Sequence, residues 1–346
     1  MVLNFQKDIS LCAYNTFGID VKSKKFISIQ STDVLKAVLS ENQDSQLLVL
    51  GGGSNLLLTQ DFDGLTLRIE SRGIEILQEN KHKAKVKVAA GENWHDFVLW
   101  CLEKDFGGVE NLALIPGSVG AAPIQNIGAY GVELSQVFES CEAVSRETGE
   151  IKTFNKAECE FGYRNSIFKN ALKGKYIITS AQFNLTKAPH QINTSYQGLF
   201  EKIKSKSPSI QMIAQAVIKI RSSKLPDHRQ IGNCGSFFKN PVVDSEKFAA
   251  LQKQYANLPH YPDREGKVKI PAAWLIEKCG FKGKNFGGIG VHGIQPLVLV
   301  NNSKFSNPQG FSDLMSVVKN IIDRVYGNFA ITLEIEPRIY EELGHA

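Results

Sequence analysis

Three consecutive glycines, Gly51-Gly52-Gly53, follow the apolar run Leu47-Leu48-Val49-Leu50 and lead into Ser54-Asn55. An apolar run that ends this way reads as a strand entering a loop whose backbone reaches conformations closed to other residues, so that successive N–H groups can converge on an anion. A tight turn is the plainer reading of a glycine triplet. A second segment favours a cofactor cradle: residues 115–131 read Ile-Pro-Gly-Ser-Val-Gly-Ala-Ala-Pro-Ile-Gln-Asn-Ile-Gly-Ala-Tyr-Gly, with four glycines and no charge. A long uncharged loop is poorly solvated and costly to order, which suits it to packing on something flat and partly apolar. A flavin has those properties.

A chain of 346 residues can bury a substantial core, as two domains or one large one. The opening residues Met-Val-Leu-Asn-Phe-Gln-Lys-Asp contain no apolar leader, and no apolar run approaches the length needed to cross a bilayer. A cytoplasmic location without membrane attachment is expected. Cys12, Cys101, Cys141, Cys159, Cys234 and Cys279 are scattered, with neither a Cys-x-x-Cys pair nor zinc-like Cys/His spacing, so reduced thiols and no metal are expected. A net charge of +5 is mild and its basic residues alternate with acids. Nucleic acid is therefore not indicated, whereas a polyanionic small substrate stays open.

Strand-like runs lie at 26–29, 65–69, 85–89 and 176–183. Between them, Trp94, Phe97, Val98 and Cys101 share one helical face, with Gly107-Gly108 as the stop. The stretch 187–209 turns polar and marks a boundary. Beyond it, helices are expected from about Ser209 to Arg221, after Asp244, from Pro271 to Gly280 and from Ser312 to Gly327, with strands near 295–300 and 329–336. The balance is α+β. Gly288-Ile289-Gly290-Val291-His292-Gly293 satisfies G-x-G-x-x-G, but the run from Gln295 to Val300 that follows reads as a strand, which removes the helix N-terminus a dinucleotide site requires.

In the run 329–336, Phe329, Ile331, Leu333 and Ile335 alternate with Thr332, Glu334 and Glu336, and Pro337 should end the pairing at Glu336. Both glutamates can simply face water. Glu336, at the strand end beside Arg338, is also placed where carboxylates meet ligands. Arg164, among aromatics in Tyr163-Arg164-Asn165-Ser166-Ile167-Phe168, could hold a carboxylate or a developing enolate. Lys224 and Arg229 flank Leu225-Pro226-Asp227 and could take a diphosphate, ordinary solvation being the alternative. Ser236 in Gly-Asn-Cys-Gly-Ser-Phe does not fit the G-x-S-x-G nucleophile elbow, and Cys234 reads as a buried small cysteine. His292 reads as structural.

These motifs, in this order along nearly the whole chain, resemble the UDP-N-acetylenolpyruvoylglucosamine reductase (MurB) family, the first of its two types. The residues that carry the likeness are Asn15-Thr16-Phe17-Gly18, Gly51–Asn55, Ile115–Gly131, Tyr163–Lys169, Lys224-Leu225-Pro226, Gly232–Pro241, Pro271–Gly280, His292 to Asn301 and Leu333–Arg338. The resemblance implies an FAD-binding domain of the vanillyl-alcohol-oxidase (PCMH) type over 15–188, made of two small α+β subdomains, and an α+β substrate domain over 209–340. It implies non-covalent FAD. The diphosphate would lie on Gly51, Gly52, Gly53, Ser54 and Asn55, and the flavin near Pro116, Gly117, Ser118, Val119, Asn126, Gly128, Ala129 and Tyr130.

The implied reaction belongs to peptidoglycan precursor synthesis. NADPH as co-substrate reduces the flavin, and hydride passes from flavin N5 to the enolpyruvyl group of a UDP-sugar. Arg164 and Glu336 then stabilise the enolate, and Ser236 protonates it. Tyr163, Tyr196, Lys224, Asn240 and Gln295 would contact substrate, Tyr196 from a mobile loop. The family usually has valine where Pro337 stands here. A monomer is expected. An oxygen-using flavin oxidase of the same fold would account for the first half without Ser236 and Glu336, and a non-enzymatic nucleotide-binding protein for the glycine loops alone. The purified protein is expected to be yellow and to release FAD on denaturation; a colourless protein that takes up no added FAD would refute this reading.

Overall fold

In a computed structural model of the protein, residues 3–43, 46–203, 205, 207–302 and 308–340 are described. They form two units: Met1–Ile9, Ser23–Gly53 and Asp63–Ser223 in one, Ser10–Lys22, Ser54–Phe62 and Lys224–Ala346 in the other.

The first unit holds a four-stranded sheet in the order Gln6–Ser10, Lys22–Ile29, Phe62–Ile69, Leu47–Leu50. Its last two strands run parallel, Leu47 opposite Leu65 and Leu50 opposite Arg68. The helix Thr32–Glu41 precedes Leu47–Leu50 in the chain, is capped by the Ser31 hydroxyl accepting from the Val34 N–H, and buries Leu35, Val38 and Leu39 against Ile27, Leu65 and Leu67. A five-stranded antiparallel sheet follows in the order Ile151–Asn155, Phe138–Ser145, Tyr176–Thr186, Lys83–Ala89, Ile74–Glu79.

That sheet packs on the helix Trp94–Glu103, whose N-terminus is capped by Asn93 Oδ1 accepting from the His95 and Asp96 N–H groups. Phe97 is fully buried, with ring centroids 5.1 Å from Phe183 and 5.6 Å from Trp94. The left-handed residue that turns the chain beyond this helix is Asp105 (φ 55°), ahead of the two glycines expected to do so. A second correction concerns the helix Ile210–Lys224. Ile213, Ala214, Val217 and Ile220 complete the core built on Trp94 and Phe97, so this unit continues past the polar stretch to Ser223. Lys204 and Lys206 of that stretch lie outside the described residues.

The second unit is built on a sheet ordered Gly232–Ser236, Val298–Asn301, Ile289–Val291, Asn285–Phe286, with helices Ser245–Gln254, Ala272–Lys278 and Pro308–Phe329. A strand does follow the G-x-G-x-x-G run, at Val298. Asn15-Thr16-Phe17-Gly18 serves this unit structurally. Asn15 Nδ2 donates to the carbonyls of Leu11 and Ile19, and Thr16 exchanges bonds with Asn233, its Oγ1 donating to the Asn233 carbonyl at 2.7 Å.

The expected strand 329–336 is corrected. Helix Pro308–Phe329 takes in Phe329, and Ala330 (φ 49°) closes it. Ile331 and Leu333 are buried and Thr332 and Glu334 exposed, so the alternation is real. The extended chain pairs with Phe237–Lys239, where Phe238 bridges Ile335. Nor does pairing end at Pro337. Glu336 N–H donates to the Phe237 carbonyl and Arg338 N–H to the Asn55 carbonyl, after which Arg338–Tyr340 runs parallel to Leu56–Leu58. Proline, lacking an N–H, occupies the gap where the chain changes partners.

Phe97→Ala is expected to destabilise the first unit by about 3–5 kcal/mol. Denaturant unfolding checks this, and a loss under about 1 kcal/mol would mean that the site collapses without a cavity.

Candidate functional site

In the first unit the glycine triplet meets the uncharged loop at backbone distance. A Cβ on Gly51 would collide with Ser118 Oγ, and one on Gly52 would stand 2.5 Å from Gly117 Cα. Gly53 takes φ 62°. The facing loop is fastened from behind, since the Gly117 carbonyl accepts from Trp94 N–H at 3.0 Å, Val119 N–H donates to Glu92, and Gly120 N–H donates to Ala90. Two backbones with so little side-chain volume between them suit the close approach of an anionic or planar ligand. Residues 115–131 contain neither histidine nor cysteine, the side chains that commonly carry a covalent flavin. The residues present thus fit FAD held without a covalent bond.

The loop and the residue that leads into it are shaped by strained backbone. Leu114 (φ 60°), Asn126 (45°) and Tyr130 (49°) all adopt left-handed backbone, as does Arg164 (52°) nearby. Conformations of this kind cost free energy in L-residues with side chains, and they gather at ligand sites. Asn126 is fully buried: its Nδ2 donates to Glu133 Oε2 and the Gly162 carbonyl, and its Oδ1 accepts from Ser135 N–H. Gly162 in turn exchanges both backbone hydrogen bonds with Asn165, so Tyr163 and Arg164 form a two-residue turn.

Arg164 occupies the second position of this turn, which glycine or asparagine ordinarily fills when φ is positive. Its Nη2 donates to the Gly128 carbonyl at 2.6 Å, and its guanidinium lies 5.4 Å from the Tyr163 ring. Tyr130 meets Tyr196 edge-on, with centroids 4.9 Å apart. The structure therefore groups Arg164 with Gly128, Tyr130 with Tyr196, and Gly51 and Gly52 with Gly117 and Ser118. Pro116 is exposed and Val119 buried, while Ala129 and Tyr163 lie between these extremes.

Arg221 is a neighbour not anticipated from sequence. Its Nε donates to the Leu114 carbonyl at 3.3 Å, and its charge acts on Tyr130. Burial lowers its pKa and raises that of Tyr130. A signal existed: Ile210, Ala214, Val217 and Arg221 follow helical spacing, which puts a cation on the buried face.

In the second unit, Ser236 sits opposite Val298 across a register irregularity, with Gly235 at φ 73° bulging the strand just before it. Through the Glu336–Phe237 bond, Glu336 lies on the segment beside Ser236. Burial, with the charge of Glu336 adding to it, pushes the Cys234 thiol well up, which removes it as a nucleophile. Glu334 faces water and pairs with Lys239 at 2.7 Å.

Asn240 Oδ1 accepts from Ala272 N–H, capping a helix whose N-cap Pro271 offers no side-chain bond. Lys224 is exposed at a helix end, and Gln295 N–H donates to His292 Nδ1. This bond, together with burial that lowers its pKa, fits His292 as structural. Arg229, exposed to solvent, pairs with Asp227 at 2.7–3.1 Å, which holds that carboxyl at about 2. Ser54 and Asn55 belong to this second unit.

A profile for the FAD binding domain matches residues 24–155, and one for the UDP-N-acetylenolpyruvoylglucosamine reductase C-terminal domain matches 226–340. Fold and site together define an FAD-dependent oxidoreductase with the vanillyl-alcohol-oxidase type of cofactor domain. Across 97% of its length the chain is 47% identical to all of the UDP-N-acetylenolpyruvoylglucosamine reductase of Flavobacterium johnsoniae, and it is 45% identical to that of Amoebophilus asiaticus, covering 98% and 100%. It belongs to the UDP-N-acetylenolpyruvoylglucosamine reductase family. The crystal structure of the MurB protein from Thermus caldophilus, 20% identical, shares the fold with a TM-score of 0.68, covering 99% of this chain and all of that one.

Gly52→Ala is expected to cost about 1–3 kcal/mol, because backbone rather than a movable side chain opposes the added methyl. The measurement is FAD content after gel filtration, with a loss of retained flavin expected and parental content the contrary result.

Proposed function

We propose that the protein reduces UDP-N-acetylglucosamine enolpyruvate to UDP-N-acetylmuramate with NADPH, in peptidoglycan precursor synthesis, as a cytoplasmic monomer. Membership of the family supports the substrate class. The observation that carries the residue roles is Arg164: a bulky L-residue kept at φ 52° on a closed two-residue turn, its guanidinium bonded to the cofactor loop. Packing alone gives no reason for an arginine at a place that glycine fills without strain.

FAD held by Gly51–Gly53 and residues 115–131 would supply hydride-transfer chemistry between NADPH and the substrate's vinyl carbon. Arg164 holds the enolpyruvyl carboxylate and, with Glu336, offsets the charge that builds on the enolate. Ser236, presented by the bulge at Gly235, gives its proton to the adjacent carbon. Tyr163, Tyr196, Lys224, Asn240 and Gln295 bind and orient the UDP-sugar, Asn240 through the part of its amide that does not cap the helix. An oxygen-using flavin oxidase has no comparable need for the Ser236 bulge and the Glu336 segment.

Ser236→Ala separates the two half-reactions. Flavin reduction by NADPH should stay near the parental rate, because it delivers no proton to a substrate carbon. Reoxidation by the enolpyruvyl sugar should slow by roughly two to four orders of magnitude. Stopped-flow absorbance follows each step alone; unchanged reoxidation would exclude Ser236 as the acid.

A further inference from the structure

Asn111 is 1% exposed, in the single turn Glu110–Leu112 beneath the cofactor loop. Its two amide hydrogens go to different segments, one to the Tyr130 carbonyl at 2.9 Å and the other to the Asn193 carbonyl at 3.0 Å. The amide orientation follows from this network, because the reverse would set Oδ1 against two carbonyls. Asn193 completes the tie: its Nδ2 donates to the Gly131 carbonyl at 3.0 Å, and its Oδ1 accepts from the N–H and hydroxyl of Ser195. The segments also lie flush, since a Cβ on Gly131 would stand 2.7 Å from Ser195 Oγ.

Tyr196 comes next in the chain, edge-on to Tyr130 with ring centroids 4.9 Å apart. The tie is not neutral for stability. Asn111 Oδ1 is buried without a hydrogen-bond partner among the described residues, a state that costs free energy an apolar side chain would not. A residue serving the core alone would avoid that cost.

We propose that Asn111 is a positioning residue that couples the cofactor loop to Tyr196, so that seating FAD on residues 115–131 fixes the place of the substrate tyrosine. The proposal rests on Tyr196 as a substrate contact. An ordered loop lends its order to whatever is hydrogen-bonded to it, and here the bonded segment ends at Tyr196 and starts the helix Gln197–Ile203.

The test is digestion by chymotrypsin, which cuts after Phe200, 62% exposed in that helix, but only when the helix opens locally. Bound FAD should slow this cut in the parent protein. In Asn111→Ala the FAD-linked protection should fall by about tenfold, the worth of two ordinary hydrogen bonds. The apparent KM for the enolpyruvyl sugar should rise by a similar factor with kcat little changed. Adding Tyr196→Phe should raise KM no further, because the two residues would act through one contact.

FAD protecting Phe200 as well in Asn111→Ala as in the parent would overturn the coupling. Should Asn111→Ala fail to fold, Asn193→Ala, which removes the half-buried side of the tie, decides by the same digestion. The digestion contains no substrate, so it judges the coupling separately. If Tyr196→Phe alone leaves KM unchanged, the substrate role of Tyr196 falls instead.

Discussion

A side chain on Gly52 would run into the backbone of Gly117, and the cofactor half of the protein takes its arrangement from that contact. The triplet ends a strand of the parallel-edged sheet. Gly117 is pinned through Trp94 to the helix that covers the antiparallel sheet, and Gly120 through Ala90 to the end of that sheet's strand Lys83–Ala89. The loop between them runs on to Asn126 and Gly128, from which the Arg164 turn hangs. A methyl group at Gly52 would disturb all of these together. Gly51 and Gly52 matter here through the absence of volume, Gly53 (φ 62°) and Gly117 (φ 121°) through backbone conformations that other residues rarely adopt.

The three residues assigned to the chemistry share a mode of construction. Each stands where the main chain departs from regular pairing: Arg164 in a left-handed turn position, Ser236 behind a glycine bulge, Glu336 where one ladder stops and another starts across Pro337. Main-chain hydrogen bonds close to each fix its Cα, leaving only side-chain torsions to be set by a ligand. Such placement limits the freedom that would be lost on binding.

Much of this was legible from sequence because it depends on local signals. The helix starting at Trp94 has an asparagine cap and a period of 3.6, the helix after Asp244 has its cap at that aspartate, and both glycine loops announce themselves by composition. Contacts distant in sequence were not legible. The apolar face of Ile210–Lys224 was visible, but nothing local says which core it joins. Alternation over 329–336 reported one buried side and could not report that hydrogen-bond partners exist for only part of the run. Nothing in the sequence showed that Asn240 Oδ1 also caps the helix Ala272–Lys278, or that Arg229 pairs with Asp227. Arg221 lay in plain view as a charge on an apolar helical face, and its meaning depended on Tyr130.

The strained turn at Arg164 sets fold stability and catalysis against each other at one codon. Left-handed backbone costs an L-residue roughly 1–2 kcal/mol that glycine avoids. A gene copy released from selection for activity would therefore gain stability by losing this arginine, and inactive descendants could outlast active ones as folded proteins. Persistence of arginine at such a place, against a glycine that would relieve the strain, then depends on what its guanidinium does.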